Sequence, residues 1–164
     1  MVLDVKRIIN TPGGRIDFRF EENYSDVDFG GVYPATAPVL VVGEVRNIAG
    51  MLQLQLKLST ELSAVCDRCL AEFRKSFEQD FSCMLAGEVM DERNDDIRLL
   101  VNDSVDLSEI AREVFILNMP TKTLCREDCK GLCFGCGVNL NFEKCRCKKE
   151  VDPRLQALAK LLEE

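Results

Sequence analysis

The chain has 164 residues, with 21 lysines and arginines against 28 aspartates and glutamates, a net charge of −7, nine cysteines and not one histidine. That length suits one domain burying about two thirds of its extended surface, and the acidity excludes a whole surface that grips nucleic acid nonspecifically. No apolar run approaches the roughly 20 residues of a bilayer span, so no membrane association is expected, and without imidazole the usual proton carrier at neutral pH is missing.

Residues 3–9 and 15–21 read as two strands about a turn at Thr11 to Gly14, with Ile16, Phe18 and Phe20 alternating against Arg15, Asp17 and Arg19. The stretch from Asn23 to Pro38, rich in aspartate, glycine and proline, reads as an exposed loop with Tyr24, Phe29 and Tyr33 as candidate anchors. Val39 to Asn47 is β-rich, and Ala49-Gly50 supplies a hairpin turn. Next, Leu52, Leu54, Leu56 and Leu58 alternate with Gln53, Gln55, Lys57 and Ser59, so one face of this strand is buried and the other wet. Phe73 to Leu85 alternates again, with Phe73, Phe77, Phe81, Cys83 and Leu85 on one side, and Cys83 reads as a core residue. These strands predict an antiparallel meander with Cys66-Asp67-Arg68-Cys69 at the turn between its second and third strands.

Acidic Glu88 to Asp96 reads as a loop and Ile97 to Val101 as a short strand. Asp106 with Glu109 forms a capping pattern for a helix whose Leu107, Ile110, Ala111, Val114 and Leu117 share a face, and Pro120 ends it. Asp152-Pro153 opens a final helix, whose Leu155, Leu158, Ala159 and Leu162 form a stripe that either docks on the sheet or receives a partner. The fold class is α+β. Residues 1–120 form a sheet-and-helix core, 121–150 a cysteine-rich segment and 151–164 the C-terminal helix, all in one integrated domain.

Chemistry concentrates in sulfur. Cys125 to Cys147 reads CREDCKGLCFGCGVNLNFEKCRC, with CDRC far upstream. Thiolates bind metal, and a CxxC turn aims two of them at one ion while backbone N–H groups, often freed by a following glycine such as Gly137, steady their charge. Cys133, Cys136, Cys145 and Cys147 are close enough in sequence for a self-contained site, in whose loop Asn139 and Asn141 suit tight backbone. Cys125 and Cys129, on one face of a helical turn, would join Cys66 and Cys69 in a second site that staples the meander to the C-terminal segment. The same spacing is open to an exchange of pairs between the sites. One or two zinc ions are expected.

Disulfides are the competing reading. MVLDVKRIIN lacks the apolar stretch of a secretory leader, and an odd cysteine count fits pairing badly, so a reduced, cytoplasmic protein is expected. An iron–sulfur redox protein is a further alternative, because thiolates suit iron as well as zinc. So is a redox-switched chaperone, in which oxidation expels zinc and unmasks a binding surface. Closed four-cysteine sites leave no position for activated water, and no nucleophile elbow or phosphate loop is present, so a non-enzymatic protein is expected.

Charge is distributed unevenly. Lys122 to Lys149 holds seven bases against three acids, a net of +4, which leaves −11 for the remainder. With a screening length of about 8 Å, this basic cluster can attract phosphate locally. Its lysines can equally serve to compensate negative tetrathiolate sites.

CDRCL after a strand meander, a capped helix ending in NMP, the run LCREDCKGLCFGCGVNLNFEKCRC and a closing DPRLQALAKLL together resemble the YceD family, the large ribosomal RNA subunit accumulation proteins, in its cysteine-rich bacterial form. The similarity spans Val39 to Leu162. It implies a part in the synthesis, processing or accumulation of large-subunit ribosomal RNA, and hence in ribosome biogenesis, without implying a reaction. On that footing Lys130, Lys144, Arg146, Lys148 and Lys149 are expected to contact precursor RNA or a ribosomal protein.

Overall fold

The structure, a computed structural model, describes residues 1–87 and 97–147. The expected loop at Glu88 to Asp96, the C-terminal helix, Lys148 and Lys149 lie outside the described residues. A five-stranded sheet runs in the order β2 (Arg15–Glu22), β3 (Val39–Ile48), β4 (Met51–Val65), β5 (Glu72–Ala86) and β6 (Ile97–Leu99). Its first four strands are an antiparallel meander, as the alternating leucines require, and β6 adds a parallel edge along β5. Ala49 and Gly50 both take positive φ in the β3–β4 turn, the geometry that matches strand twist.

The opening hairpin expected from residues 3–9 and 15–21 does not form. Only Val2–Asp4 is a strand, β1, and it pairs with β7 (Ser104–Asp106) while β2 pairs with β3. Residues Lys6–Ile9 form a helical turn, α1. The Asp4 carboxylate accepts the Lys6 N–H and ends the strand locally. The buried Asn47 then donates its amide to the Ile8 and Ile9 carbonyls, at 2.7 and 2.8 Å, and its oxygen accepts the Gly50 N–H. A strand ladder would have occupied those carbonyls; a side chain 38 and 39 residues away satisfies them instead.

The inner face of the sheet carries Val39, Val41, Val45, Leu52, Leu54, Leu56, Leu58 and Leu62, all buried, with Phe77, Cys83 and Leu85 beside them. Helix α2 (Leu107–Leu117) covers this face; Asp106 caps it by accepting from the Ser108 and Glu109 N–H groups. Its buried stripe is Leu107, Ile110, Ala111, Val114 and Phe115, whereas Leu117, expected on that face, is exposed. Phe115 takes the place because aromatic partners lie on its side of the helix. Its ring meets Tyr24, Phe77 and Phe29 at centroid distances of 5.0, 5.4 and 6.1 Å. Tyr24 and Phe29 thus anchor the loop before β3, and Tyr33 is exposed. Among the described residues no helix is long and apolar enough to cross a membrane.

Replacement Asn47→Ala strips three hydrogen bonds from a fully buried position; the Ile8 carbonyl keeps the Thr11 N–H, while the Ile9 carbonyl and the Gly50 N–H lose the Asn47 side chain that pairs them. Urea denaturation of this variant is expected to show a loss of about 2–4 kcal/mol. A loss below about 0.5 kcal/mol would mean that α1 is held by other contacts.

Candidate metal centres

Strands β4 and β5 pair over 14 residues, from Leu52↔Leu85 to Val65↔Glu72, and carry the turn Cys66 to Leu70 to the end of the hairpin. Here a second apolar cluster begins, made of Cys66, Cys69 and Cys129 with Phe73, Leu124, Cys125 and Leu132 around them. The eight cysteines outside the main core fall into two groups of four, Cys66, Cys69, Cys125, Cys129 and Cys133, Cys136, Cys145, Cys147, each with its sulfurs within 4.8 Å of one another. Cys125 to Cys129 is a turn closed by the Cys129 N–H on the Arg126 carbonyl, rather than the expected helical turn.

The two CxxC segments are built alike. In the first, Leu70 N–H donates to the Cys66 carbonyl at 2.9 Å and Cys66 N–H to Ala71 at 2.9 Å; in the second, Gly137 N–H donates to Cys133 at 2.9 Å and Cys133 N–H to Val138 at 2.8 Å. Both knuckles need a left-handed residue directly after the second cysteine. Gly137 supplies φ 72 at ease, and Leu70 adopts φ 57 against its Cβ. The sequence signal that singled out Gly137 therefore missed its counterpart.

A latch joins the knuckle on β4–β5 to the C-terminal segment. Leu132 N–H donates to the Arg68 carbonyl at 2.9 Å, and the Arg68 guanidinium donates to the Cys129 carbonyl at 2.7 Å. Gly131, at φ 75, sits so close that a Cβ there would lie 2.8 Å from the Arg68 carbonyl oxygen, which accounts for glycine within CKGLC. The two groups also share a frame. Asn141 donates to the Cys129 sulfur at 3.3 Å and to the Asn139 carboxamide oxygen at 2.9 Å, and its own oxygen accepts the Lys130 N–H at 2.8 Å. A residue in the loop of one group thus supports a sulfur of the other.

The geometry fits one ion per group. Sulfurs 2.3 Å from a tetrahedral zinc are about 3.8 Å apart. The Cys66–Cys129, Cys69–Cys125 and Cys136–Cys145 pairs stand at 3.8, 3.6 and 3.8 Å, and Cys133–Cys145 at 3.0 Å. All are too long for disulfide bonds. Electrostatics point the same way. The Cys66 thiol is drawn down to about 6, first by the Cys125 N–H and then, against desolvation, by those of Cys69 and Arg68. Cys133 falls to about 6 through the Cys145 thiol and the N–H groups of Cys136 and Gly135. Burial and then its three neighbouring sulfurs push Cys125 up to about 12, and Cys147 rises to about 12 against Cys136 and Cys145. In the first group Cys66 and Cys129 are drawn toward the thiolate and Cys125 away from it, and in the second Cys133 is drawn toward it and Cys147 away, so a cation is what would favour all four sulfurs of a group as thiolates. Lys130, Lys144 and Arg146 are exposed around these groups.

The family model described as large ribosomal RNA subunit accumulation protein YceD matches residues 54–162. An uncharacterised protein of Mycobacterium tuberculosis is 31% identical over 101 residues, 59% of this chain and 49% of that protein. The chloroplastic large ribosomal RNA subunit accumulation protein YCED homolog 1 of Zea mays is 27% identical over 154 residues, 74% of this chain and 52% of its own. An uncharacterised protein of Bacillus subtilis is 28% identical over 131 residues, 78% of this chain and 76% of its own. The chain spans about half the length of the mycobacterial and maize relatives. No solved structure matches it.

Cys66→Ser removes one sulfur from the first group only. Elemental analysis is expected to lose one metal equivalent per chain, with amides near Cys125 exchanging faster; unchanged stoichiometry would refute the first centre.

Proposed function

The chain belongs to the YceD family, and we propose that it is a non-enzymatic factor in the synthesis, processing or accumulation of large-subunit ribosomal RNA. In this reading zinc fills both sulfur groups, and the segment they shape engages precursor RNA. The proposed setting is the cytoplasm, where thiols stay reduced.

The observation that carries the reading is the shared frame of the two groups, with Lys130, Lys144 and Arg146 exposed upon it. Four-sulfur sites are coordinatively closed, so their metal would shape backbone rather than activate water. Sulfurs within 4.8 Å of one another enclose a single ion, which favours zinc over an iron–sulfur cluster, whose cysteines must spread around several irons. A redox-switched chaperone draws only on chemistry common to all such sites. The basic side chains would act at short range, because each zinc tetrathiolate carries a net charge of about −2 that mutes attraction at a distance.

If about four of the cations Lys130, Lys144, Arg146, Lys148 and Lys149 meet phosphates of a single strand, the logarithm of affinity falls with the logarithm of salt at a slope near −3. Titrations of the zinc-loaded chain with unstructured RNA at several salt concentrations measure it. A slope near zero would favour a ribosomal protein as the partner.

A further inference from the structure

Two phenylalanines stand uncovered on the metal-binding segment. Phe134 is fully exposed and Phe142 is 82% exposed. Leaving such a ring in water forgoes about 1.5–3 kcal/mol of burial, so the pair is costly unless something else covers it. Neither ring is exposed through slack backbone. Phe134 sits inside the knuckle between Cys133 and Cys136, closed by the Gly137 and Cys133 N–H bonds and by the Leu132–Asn139 bridge. Phe142 follows Asn141, whose side chain makes three hydrogen bonds, and the Phe142 N–H donates to the Asn139 carbonyl at 3.1 Å.

The surroundings choose the occupant. Next to the rings in sequence, Gly135, Gly137, Glu143 and Lys144 are exposed and polar or without a side chain, while the apolar Leu132, Val138 and Leu140 are partly buried, so the exposed surface here is not the contiguous apolar centre of a protein interface. Cations flank both rings in sequence: Lys130 precedes the knuckle, and Lys144 and Arg146 follow Phe142. Fixed aromatic faces interleaved with cations suit unpaired bases, which stack irrespective of their identity while phosphates meet the charges. We infer that Phe134 and Phe142 are stacking platforms for unpaired bases of single-stranded RNA, with Lys130, Lys144 and Arg146 taking the adjoining phosphates. This inference rests on the RNA-binding reading above and adds the form of RNA and the residues that read it. Stacking supplies attraction that the zinc tetrathiolates do not mute.

The test is binding of a short, unstructured RNA carrying 2-aminopurine, whose fluorescence reports stacking, to the full zinc-loaded chain. Phe134→Ala and Phe142→Ala leave the metal content unchanged, since neither ring is packed, and each weakens binding roughly 5- to 100-fold. The Phe→Trp replacements retain affinity and quenching, whereas Phe→Leu behaves as Phe→Ala. A fully paired duplex binds the wild-type chain more weakly, and equally in all variants. If the alanine variants bind the single strand as the wild type does, the stacking inference is overturned and RNA binding itself survives. If the wild-type chain binds no RNA and a ribosomal protein is retained instead, both readings fall.

Discussion

Four thiolates held within 4.8 Å of one another repel too strongly to stay charged together without a cation at their centre. This constraint bears on residues 121–147, the C-terminal end of the described chain. The sheet, with α2 on its inner face, has an apolar core of its own, apart from the two sulfur groups. Among the described residues beyond Pro120, 121–147, there is no regular helix or strand, and this segment is shaped by turns, one isolated bridge and the sulfur groups. The long β4–β5 hairpin links the two regimes, since its far turn supplies half of the first group and docks Leu132 and Cys129 through Arg68.

The two centres form one unit because the loop of the second holds Asn141 against Cys129 of the first. Outer hydrogen bonds of this kind tune the affinity and orientation of a metal site. They also set the outward geometry: the backbone that carries Lys130 is fixed by the Asn141 carboxamide, and Phe142 follows that residue directly. In the proposed reading, metal, frame and presented side chains would lie on one causal path, from thiolate crowding to the placement of cations and rings.

Much of this was legible in the residues themselves. Alternating leucines specify β4, Ala49-Gly50 its turn, and Asp106 the start of α2, because each is decided by local periodicity or local hydrogen bonding. CxxC spacing likewise marks pairs of sulfurs. What stayed hidden depends on partners distant in sequence. Residues 6–9 suit a strand by composition, and Asn47, from across the fold, pairs the carbonyls of their helical turn. Phe115 and Leu117 are equivalent by periodicity until the rings of Tyr24 and Phe77 decide between them. Leu70 reveals nothing of its left-handed backbone, although its place after Cys69 parallels Gly137 after Cys136. Phe134 and Phe142 carry a readable signal, aromatic residues interleaved with cations in a cysteine-rich loop, that the cysteine pattern overshadows.

The central claim is that each sulfur group holds one ion in tetrahedral thiolate coordination. X-ray absorption at the metal edge, combined with metal-to-protein stoichiometry on anaerobically purified full-length chain, addresses it most directly. The account predicts two ions per chain, each with four sulfurs at about 2.3 Å and no nearer oxygen or nitrogen. A metal-free chain with an equally ordered cysteine segment, or a metal–metal distance signalling a polynuclear cluster, would contradict it.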